Sequence, residues 1–271
     1  MPEMWHSLYL RADDPPAIAA ALLGALRQHG YQRYDPFAGG TGTPPGLKTF
    51  VRHFIAPAVD GWVRILGEPD LQTVIDLSKG RVVLHAWLTD ADGGLALYRD
   101  GQASDEALAT LLRPGKTADD LRHVLAGHVA VAVDPLSNAW PAEIRQLARE
   151  HNVNPEQANP MIERITSRLL GKLDRASGGE ASEMQARASA LATGANRPNW
   201  NNTSGQRLKA LAAVLDLPSN WREPDFETVR AAYQAARYLR KSPNARLMPD
   251  EQEALKALPD AIRYEAVYAG K

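Results

Sequence analysis

Apolar and polar residues alternate most clearly in residues 79–101, KGRVVLHAWLTDADGGLALYRDG, and this pattern predicts a β-hairpin. Residues 81–89 are rich in β-branched and large apolar side chains, residues 90–94 are turn formers, and residues 95–99 return as a second strand. Both faces of the first strand are largely apolar. We therefore expect the hairpin to lie at the centre of a small sheet.

The remainder of the first half alternates between strand-like and helix-like segments. Asp13 and Asp14 precede two prolines, which marks the start of a helix, and Gly30 marks its end. The pattern predicts strands over residues 5–11, 48–55 and 61–68, and helices over residues 17–29 and 69–79. The resulting order β-α-β-β-α-β-β is typical of an antiparallel sheet with two helices on one face, of ferredoxin-like character.

Beyond the hairpin the pattern changes to the period of a helix. It predicts helices over residues 104–112, 117–125, 141–151, 155–173, 180–193, 205–217, 225–241 and 250–258, and one short strand over residues 129–133. The tail, residues 264–268, alternates like a strand that pairs with a sheet edge, in this chain or in a second copy. We predict an α+β domain over residues 1–135 and a mostly helical domain over residues 136–271.

Composition places the chain among ordinary globular proteins. It has 271 residues, of which 44% are hydrophobic and 23% charged, and its net charge is -1. A chain of this length can bury a hydrophobic core without disulfide bonds or a structural metal ion. The absence of cysteine excludes thiol nucleophiles, disulfides, cysteine zinc sites and thiolate-bound iron-sulfur clusters. No apolar run has the length of a bilayer span, and the N-terminus lacks a signal-like pattern, so we predict a cytoplasmic protein without a membrane partner.

Two loops partly match known ligand-binding motifs. Residues 39–49, GGTGTPPGLKT, resemble a phosphate loop, but Leu47 separates Gly46 from Lys48 and a strand follows where a helix is needed. Residues 90–94, DADGG, resemble the start of a calcium loop, but Gly101 occupies the position of the closing glutamate. We interpret both segments as plain connections between strands.

The histidines offer a possible metal site. His53 and His85 lie in predicted strands of one sheet, and as neighbours they could bind zinc or iron together with Asp90 or Asp92. His123 and His128 lie close by in the sequence, but no short ligand motif fixes any pair. The alternative, hydrogen-bonded histidines half-buried in the sheet, is favoured, and no metal or other cofactor is predicted.

The predicted helix 225–241 carries a basic stripe. Arg230, Gln234, Arg237 and Lys241 share one helical face, and further residues of the same character lie beside it: Tyr238, Arg240 and Arg246. Such a stripe can bind phosphates by charge and stack on a base. The favoured alternative is a plain solvent-exposed face. Its basic residues near the C-terminal end then interact favourably with the negative end of the helix dipole.

Residues 144–162 loosely resemble a helix-turn-helix. Asn152 replaces the usual turn glycine, and Pro160 interrupts the second helix. An ordinary pair of antiparallel helices explains the same pattern.

Three tryptophans, Trp140, Trp200 and Trp221, lie in predicted connections. A loop tryptophan either fixes its loop onto a core or contributes to an interface with a partner. The spacing alone leaves both interpretations open.

No catalytic set is assembled by these motifs, whereas tryptophan, tyrosine and arginine are frequent in predicted surface segments. We therefore predict a non-enzymatic cytoplasmic binding or adaptor protein that acts through protein–protein contacts, self-association included. The alternative is a nucleic-acid-binding protein that uses the basic helical face of its C-terminal domain. A metal-dependent enzyme built on the N-terminal histidines is a third hypothesis.

Overall fold

The computed structural model describes residues 4–89, 92–104, 106–112, 114–126 and 198–271. These residues form one antiparallel sheet of eight strands with helices packed against it. The strands are β1 (Trp5–Arg11), β2 (Gln32–Tyr34), β3 (Phe50–Ile55), β4 (Trp62–Leu66), β5 (Val82–Leu88), β6 (Gly93–Arg99), β7 (Gln102–Ala103) and β8 (Glu265–Gly270). The α-helices in this part of the chain are α1 (Pro15–Gln28), α2 (Leu71–Leu77), α3 (Ala118–Leu125), α4 (Thr203–Val214), α5 (Phe226–Lys241) and α6 (Pro249–Ala257).

The predicted mixture of an antiparallel sheet with helices is confirmed, and most first-half elements form where local signals place them. Asp14 and Asp70 accept hydrogen bonds from backbone N–H groups in the first turns of α1 and α2, which is the capping expected of aspartate. The helix predicted over residues 104–112 is instead a 3-10 helix, Glu106–Leu111. The short strands β2 and β7 carry no pattern long enough to reveal them.

The strand order in the sheet is β2-β8-β3-β4-β1-β5-β6-β7. β1 and β4 therefore occupy the centre, and the expectation that the hairpin β5–β6 lies there is wrong. The physical reason is that β1 pairs with β4 on one side and β5 on the other, while two more strands extend the sheet beyond β3.

The C-terminal tail enters the interior of the sheet. β8 pairs with β3 from Phe50↔Gly270 to Ile55↔Glu265 and with β2 on its other side. The strand-like alternation of the tail is thus confirmed, and its partners lie in the same chain. It does not add to an edge, because β2 pairs with its outer side.

Both faces of the sheet are covered. Alternation along β1 sends Leu8 and Leu10 to the face that α1 and α2 cover. Trp5 and Tyr9 point to the opposite face, where α4 packs, and Phe54 lies beneath α5 on that same side. The predicted helices α1 and α2 share one face as expected, and helices from the second half cover the other.

Several predictions fall outside the described residues. These are the strand over residues 129–133, the helices over 141–151, 155–173 and 180–193, the helix-turn-helix interpretation of 144–162, the domain boundary at residue 135, and the residues Asp90, His128 and Trp140. Among the helices that the structure does describe, none combines the length and apolar character needed to cross a lipid bilayer.

Candidate functional site

A pocket of about 210 Å³ opens on the face of the sheet that carries α4 and α5. Strands β1 and β4 contribute one wall, the connection between α4 and α5 a second, and the segment after α6 a third. Its lining residues are Tyr9, Ala56, Pro57, Val59, Trp62, Arg64, Pro218, Asn220, Trp221, Glu223, Leu258, Asp260, Arg263 and Tyr264.

The register of two central strands brings the buried part of the pocket together. Tyr9 lies directly across from Arg64, and Arg11 lies across from Trp62, in the antiparallel pair β1–β4. Because side chains alternate along a strand, Tyr9, Trp62 and Arg64 all project from the same face. Their exposed fractions are 1%, 2% and 8%, so they form a floor withdrawn from solvent.

Arg64 is the charged group of this floor. Its Nε donates to Ser7 Oγ at 2.9 Å, and its terminal nitrogens donate to the carbonyl oxygens of Pro224 at 3.1 Å and Arg222 at 3.2 Å. All three acceptors are uncharged. The ion pairs of the described residues do not include Arg64. A guanidinium has five N–H donors, and the Tyr9 hydroxyl also lies within hydrogen-bonding reach of Arg64.

Tyr9 and Trp5 fix the loop that forms the second wall. The Tyr9 hydroxyl donates to the Trp221 carbonyl at 2.6 Å, and the Trp5 indole N–H donates to the Arg222 carbonyl at 3.3 Å. Burial raises the pKa of Tyr9 to about 12, so its hydroxyl keeps its proton and stays a donor at neutral pH. Side chains of the sheet therefore hold the backbone of residues 221–224 in place.

Three tryptophans pack edge to face beside this loop. The ring centroids of Trp5, Trp200 and Trp221 are 5.0 to 5.6 Å apart in all three pairs. Trp200 is buried, whereas Trp221 is partly buried and also lines the pocket. The two loop tryptophans thus fix their loops onto the core, which is one of the two interpretations that the sequence left open.

The polar side chains at the outer part of the pocket are exposed. Glu223, Asp260 and Arg263 lie there, and Arg263 approaches Asp260 to 3.9 Å. Among the described lining residues, no nucleophilic side chain is hydrogen-bonded to a general base. The arrangement is suited to holding a ligand by one buried cation and aromatic walls.

The histidines of the strands lie on the opposite face of the sheet, and His123 is an exposed residue of α3. His53 belongs to β3 and His85 to β5, and β4 and β1 lie between them, so the expectation that they are neighbours is wrong. His85 Nε2 instead lies 3.2 Å from Nδ1 of His6, and Trp87 packs against the His85 ring. Within the described part of the chain, no three His, Cys, Asp or Glu side chains converge as metal ligands.

Burial governs the protonation of these imidazoles. His53 is 1% exposed, and burial lowers its pKa to about 4, partly offset by a backbone hydrogen bond at Leu66 and the charge of Asp70. Burial likewise lowers the pKa of His85 to about 4 and also lowers that of His6. All three are therefore neutral side chains of the sheet at pH 7.

The predicted basic stripe falls on α5 and is divided in two. Arg237 donates to Asp35 at 3.0 Å and to the Ala38 carbonyl, and Arg230 pairs with Glu227 at 3.1 Å within the helix. These two cations have partners inside the protein. The remaining predicted residues are exposed at and beyond the C-terminal end of α5: Tyr238, Arg240, Lys241 and Arg246.

Sequence reasoning missed the pocket. The available signal was Arg64 itself, a single charged residue in the strand WVRIL, whose five residues are all buried. An arginine in a fully buried strand needs acceptors from elsewhere in the fold. The residues that supply them are up to 160 positions away along the chain, so the pattern could not name them.

No protein-family model matches this chain, and comparisons with curated proteins and with solved structures also give no match. The geometry of the pocket and of the exposed end of α5 is therefore the basis for assigning a function.

Proposed function

We propose that this protein is a non-enzymatic binding protein that holds a small organic anion in the pocket above Arg64. The observation that supports the proposal is a buried guanidinium that lines a pocket and whose hydrogen-bond acceptors among the described residues are uncharged oxygens. An anion placed there receives hydrogen bonds from a cation that is already oriented by the fold.

The floor formed by Tyr9, Trp62 and Arg64 carries a net positive charge. Hydroxyl and carbonyl oxygens satisfy three N–H groups of Arg64, but they do not neutralise its charge. A buried cation without a counter-ion is costly, and an anionic ligand would offset that cost. Charge-assisted hydrogen bonds to a carboxylate or phosphate are also stronger than neutral ones.

The test is a thermal-shift screen of small organic anions, followed by titration with tryptophan fluorescence as the readout. Trp62 and Trp221 line the pocket, so an occupant changes their environment. A ligand present at 100 times its dissociation constant should stabilise the folded state by about 2.7 kcal/mol. The effect should be lost in Arg64→Gln and retained in Arg240→Gln, whose target is an exposed cation of α5.

The proposal would be contradicted by a screen in which no anion binds, or by binding that Arg64→Gln leaves unchanged. A separate measurement of unfolding by circular dichroism shows whether Arg64→Gln is folded. The exposed control variant reports any general effect of removing a positive charge.

A second candidate function is nucleic-acid binding, favoured by the exposed group Tyr238, Arg240, Lys241 and Arg246. Retention on immobilised single- and double-stranded nucleic acid should then fall steeply with salt. Charge reversal of Arg240, Lys241 and Arg246 should abolish it. The same reversal at Arg122, an exposed residue of α3, should not.

The ferredoxin-like character of the core is likewise our proposal. Of the eight strands, β3, β4, β1 and β5 lie side by side in that order, and with α1 and α2 they follow the chain order β-α-β-β-α-β. The division into two domains, the role as a protein–protein adaptor and the cytoplasmic location stay predictions from the sequence.

A further inference from the structure

We propose that the occupant of the Arg64 pocket is a carboxylate carried by a single aromatic ring. This inference rests on the proposed function, because it names the chemical class of the anion. It follows from the size of the pocket, the nature of its walls and the distribution of charge along it.

The size of the pocket limits the ligand to one ring. A cavity of about 150 Å³ holds a benzene molecule. The pocket here is about 210 Å³, which leaves room for a ring with one small substituent and is below the 300 to 1,000 Å³ that is usual for larger ligands. Nucleotides and other extended ligands are therefore a poor fit.

The walls favour a flat aromatic body. Trp62, Trp221, Tyr9 and Tyr264 all line the pocket, and Pro57 adds a rigid apolar surface. Aromatic rings prefer edge-to-face or offset contacts with other rings, which adds to the energy of burying apolar area. An aliphatic carboxylate of the same size would lose that contribution.

The charges select a carboxylate over a phosphate. The floor formed by Tyr9, Trp62 and Arg64 has one cation, Arg64, whose guanidinium can make charge-assisted hydrogen bonds to the oxygens of a planar carboxylate. In the exposed part of the pocket two carboxylates, Glu223 and Asp260, outnumber one cation, Arg263, so a second negative charge on the ligand is disfavoured there. A monoanion that points its charge toward Arg64 and its ring toward the opening satisfies both conditions.

The floor of the pocket contains a second buried donor. The indole N–H of Trp62 is buried and has no hydrogen-bond partner among the described residues. Buried donors without partners are rare in folded proteins, and a bound ion is one of the explanations for them. We include this indole N–H in the proposed site, as a second group that would donate to a carboxylate oxygen.

The experiment is titration of the full chain with four compounds, monitored by calorimetry and by tryptophan fluorescence. Benzoate is the proposed class, benzamide has the same shape without charge, cyclohexanecarboxylate has the charge without the aromatic ring, and inorganic phosphate has charge alone. We expect benzoate to bind at least tenfold more tightly than each of the other three. Arg64→Gln should weaken benzoate by about 100-fold, because a buried charge pair loses one partner.

The comparison among ligands uses the wild-type protein, so it stays decisive even if Arg64→Gln does not fold. Equal binding of benzoate and cyclohexanecarboxylate would overturn the aromatic part of the inference and leave anion binding standing. Binding of phosphate without benzoate would overturn the carboxylate class, and the broader screen of organic anions would then decide the proposed function. Binding of none of the three anions would overturn this inference, and the broader anion screen would then decide the proposed function.

Discussion

At the scale of single residues, the polar groups buried in the sheet have two different roles. Arg64 and Tyr9 donate to the backbone of residues 221–224, which fixes a distant loop above the pocket. His53 lies on the other face of the sheet, and its Nδ1 is buried without a hydrogen-bond partner among the described residues. The hydrogen bonds of Arg64 and Tyr9 hold the loop in place on the sheet. The buried imidazole of His53 makes the stability of the fold depend on pH.

Tyr9→Phe should lower the free energy of unfolding by about 1–2 kcal/mol, because the Trp221 carbonyl loses its donor in a buried site. Urea denaturation followed by circular dichroism measures the difference. Tyr238→Phe is the matched control, because the Tyr238 side chain is 43% exposed and its substitution should change little. Equal effects of the two substitutions would contradict the structural role of the Tyr9 hydroxyl.

The low pKa of His53 predicts that stability falls in acid. An unfolded histidine takes up its proton near pH 6.5, whereas His53 in the fold does so near pH 4. The unfolded state therefore binds more protons in this window, and stability drops as pH falls from 6.5 to 4, by about 3 kcal/mol for this residue alone. His85 acts in the same direction.

Thermal unfolding across pH 4 to 7.5 measures this dependence. His53→Gln should give a shallower slope than the wild type. His123→Gln, at an exposed position of α3, should leave the slope unchanged. A His53→Gln slope identical to that of the wild type would show that burial of this imidazole does not govern acid stability.

At the scale of elements, local signals explain where most helices begin. Asn202 and Asp225 accept hydrogen bonds from backbone N–H groups in the first turns of α4 and α5. Thr117 and Asp120 form a reciprocal capping box at the start of α3. Because each of these contacts spans only three residues, the sequence alone could reveal them.

Gly67 follows β4 at a position where the backbone conformation and a close contact require glycine. Its φ of +113° is unfavourable for other residues, and a Cβ there would lie within 2.2 Å of the Arg52 carbonyl oxygen. Gly67→Ala should therefore reduce the free energy of unfolding by at least about 2 kcal/mol.

Gly24→Ala provides the opposite case, because Gly24 lies inside α1 and a Cβ there meets nothing within 4 Å. It should stabilise the protein by about 0.5–1 kcal/mol. Chemical denaturation of both variants checks the pair. A neutral Gly67→Ala would show that the close approach of Arg52 and Gly67 is not required.

At the scale of the whole molecule, the two ends of the chain share one sheet. β8 lies between β2 and β3, and α5 packs on the same sheet through Val229 and Tyr233. Residues 198–271 therefore contribute both to the sheet and to its cover. A substitution that destabilises β8 should therefore also destabilise strands that lie more than 200 positions earlier in the chain.

Val267→Ser tests this coupling. Val267 is 1% exposed and lies across from His53, so the substitution should cost about 2 kcal/mol through lost apolar burial and a buried hydroxyl. Glu265→Ser, at an exposed position of the same strand, should have little effect. We expect one unfolding transition, shifted equally in tryptophan fluorescence and circular dichroism. An unshifted fluorescence transition would contradict the coupling, because Trp5 and Trp62 belong to β1 and β4.

The candidate site could be predicted only in part. The tryptophans were identified as residues that fix loops or bind partners, and Trp221 lies in the pocket wall. Arg64 and Tyr9 were not identified. A polar residue in an apolar strand is expected to be buried, but the sequence does not show which distant group it bonds to. The predicted basic residues of α5 do not line the pocket. Helical spacing predicts that they share one face of the helix, but it does not predict which part of the protein that face contacts.

The sequence by itself determined the strands β1, β3, β4, β5 and β6, the helices that begin with caps, and the absence of cysteine chemistry. These features depend on contacts between residues a few positions apart, or on composition alone. Only the tertiary structure decided that β8 lies inside the sheet, that His85 meets His6 instead of His53, and that Arg64 reaches the carbonyls of a loop 160 residues away. The physical reason is that strand pairing and the partners of buried polar groups are set by the free energy of the whole core, which no local pattern encodes.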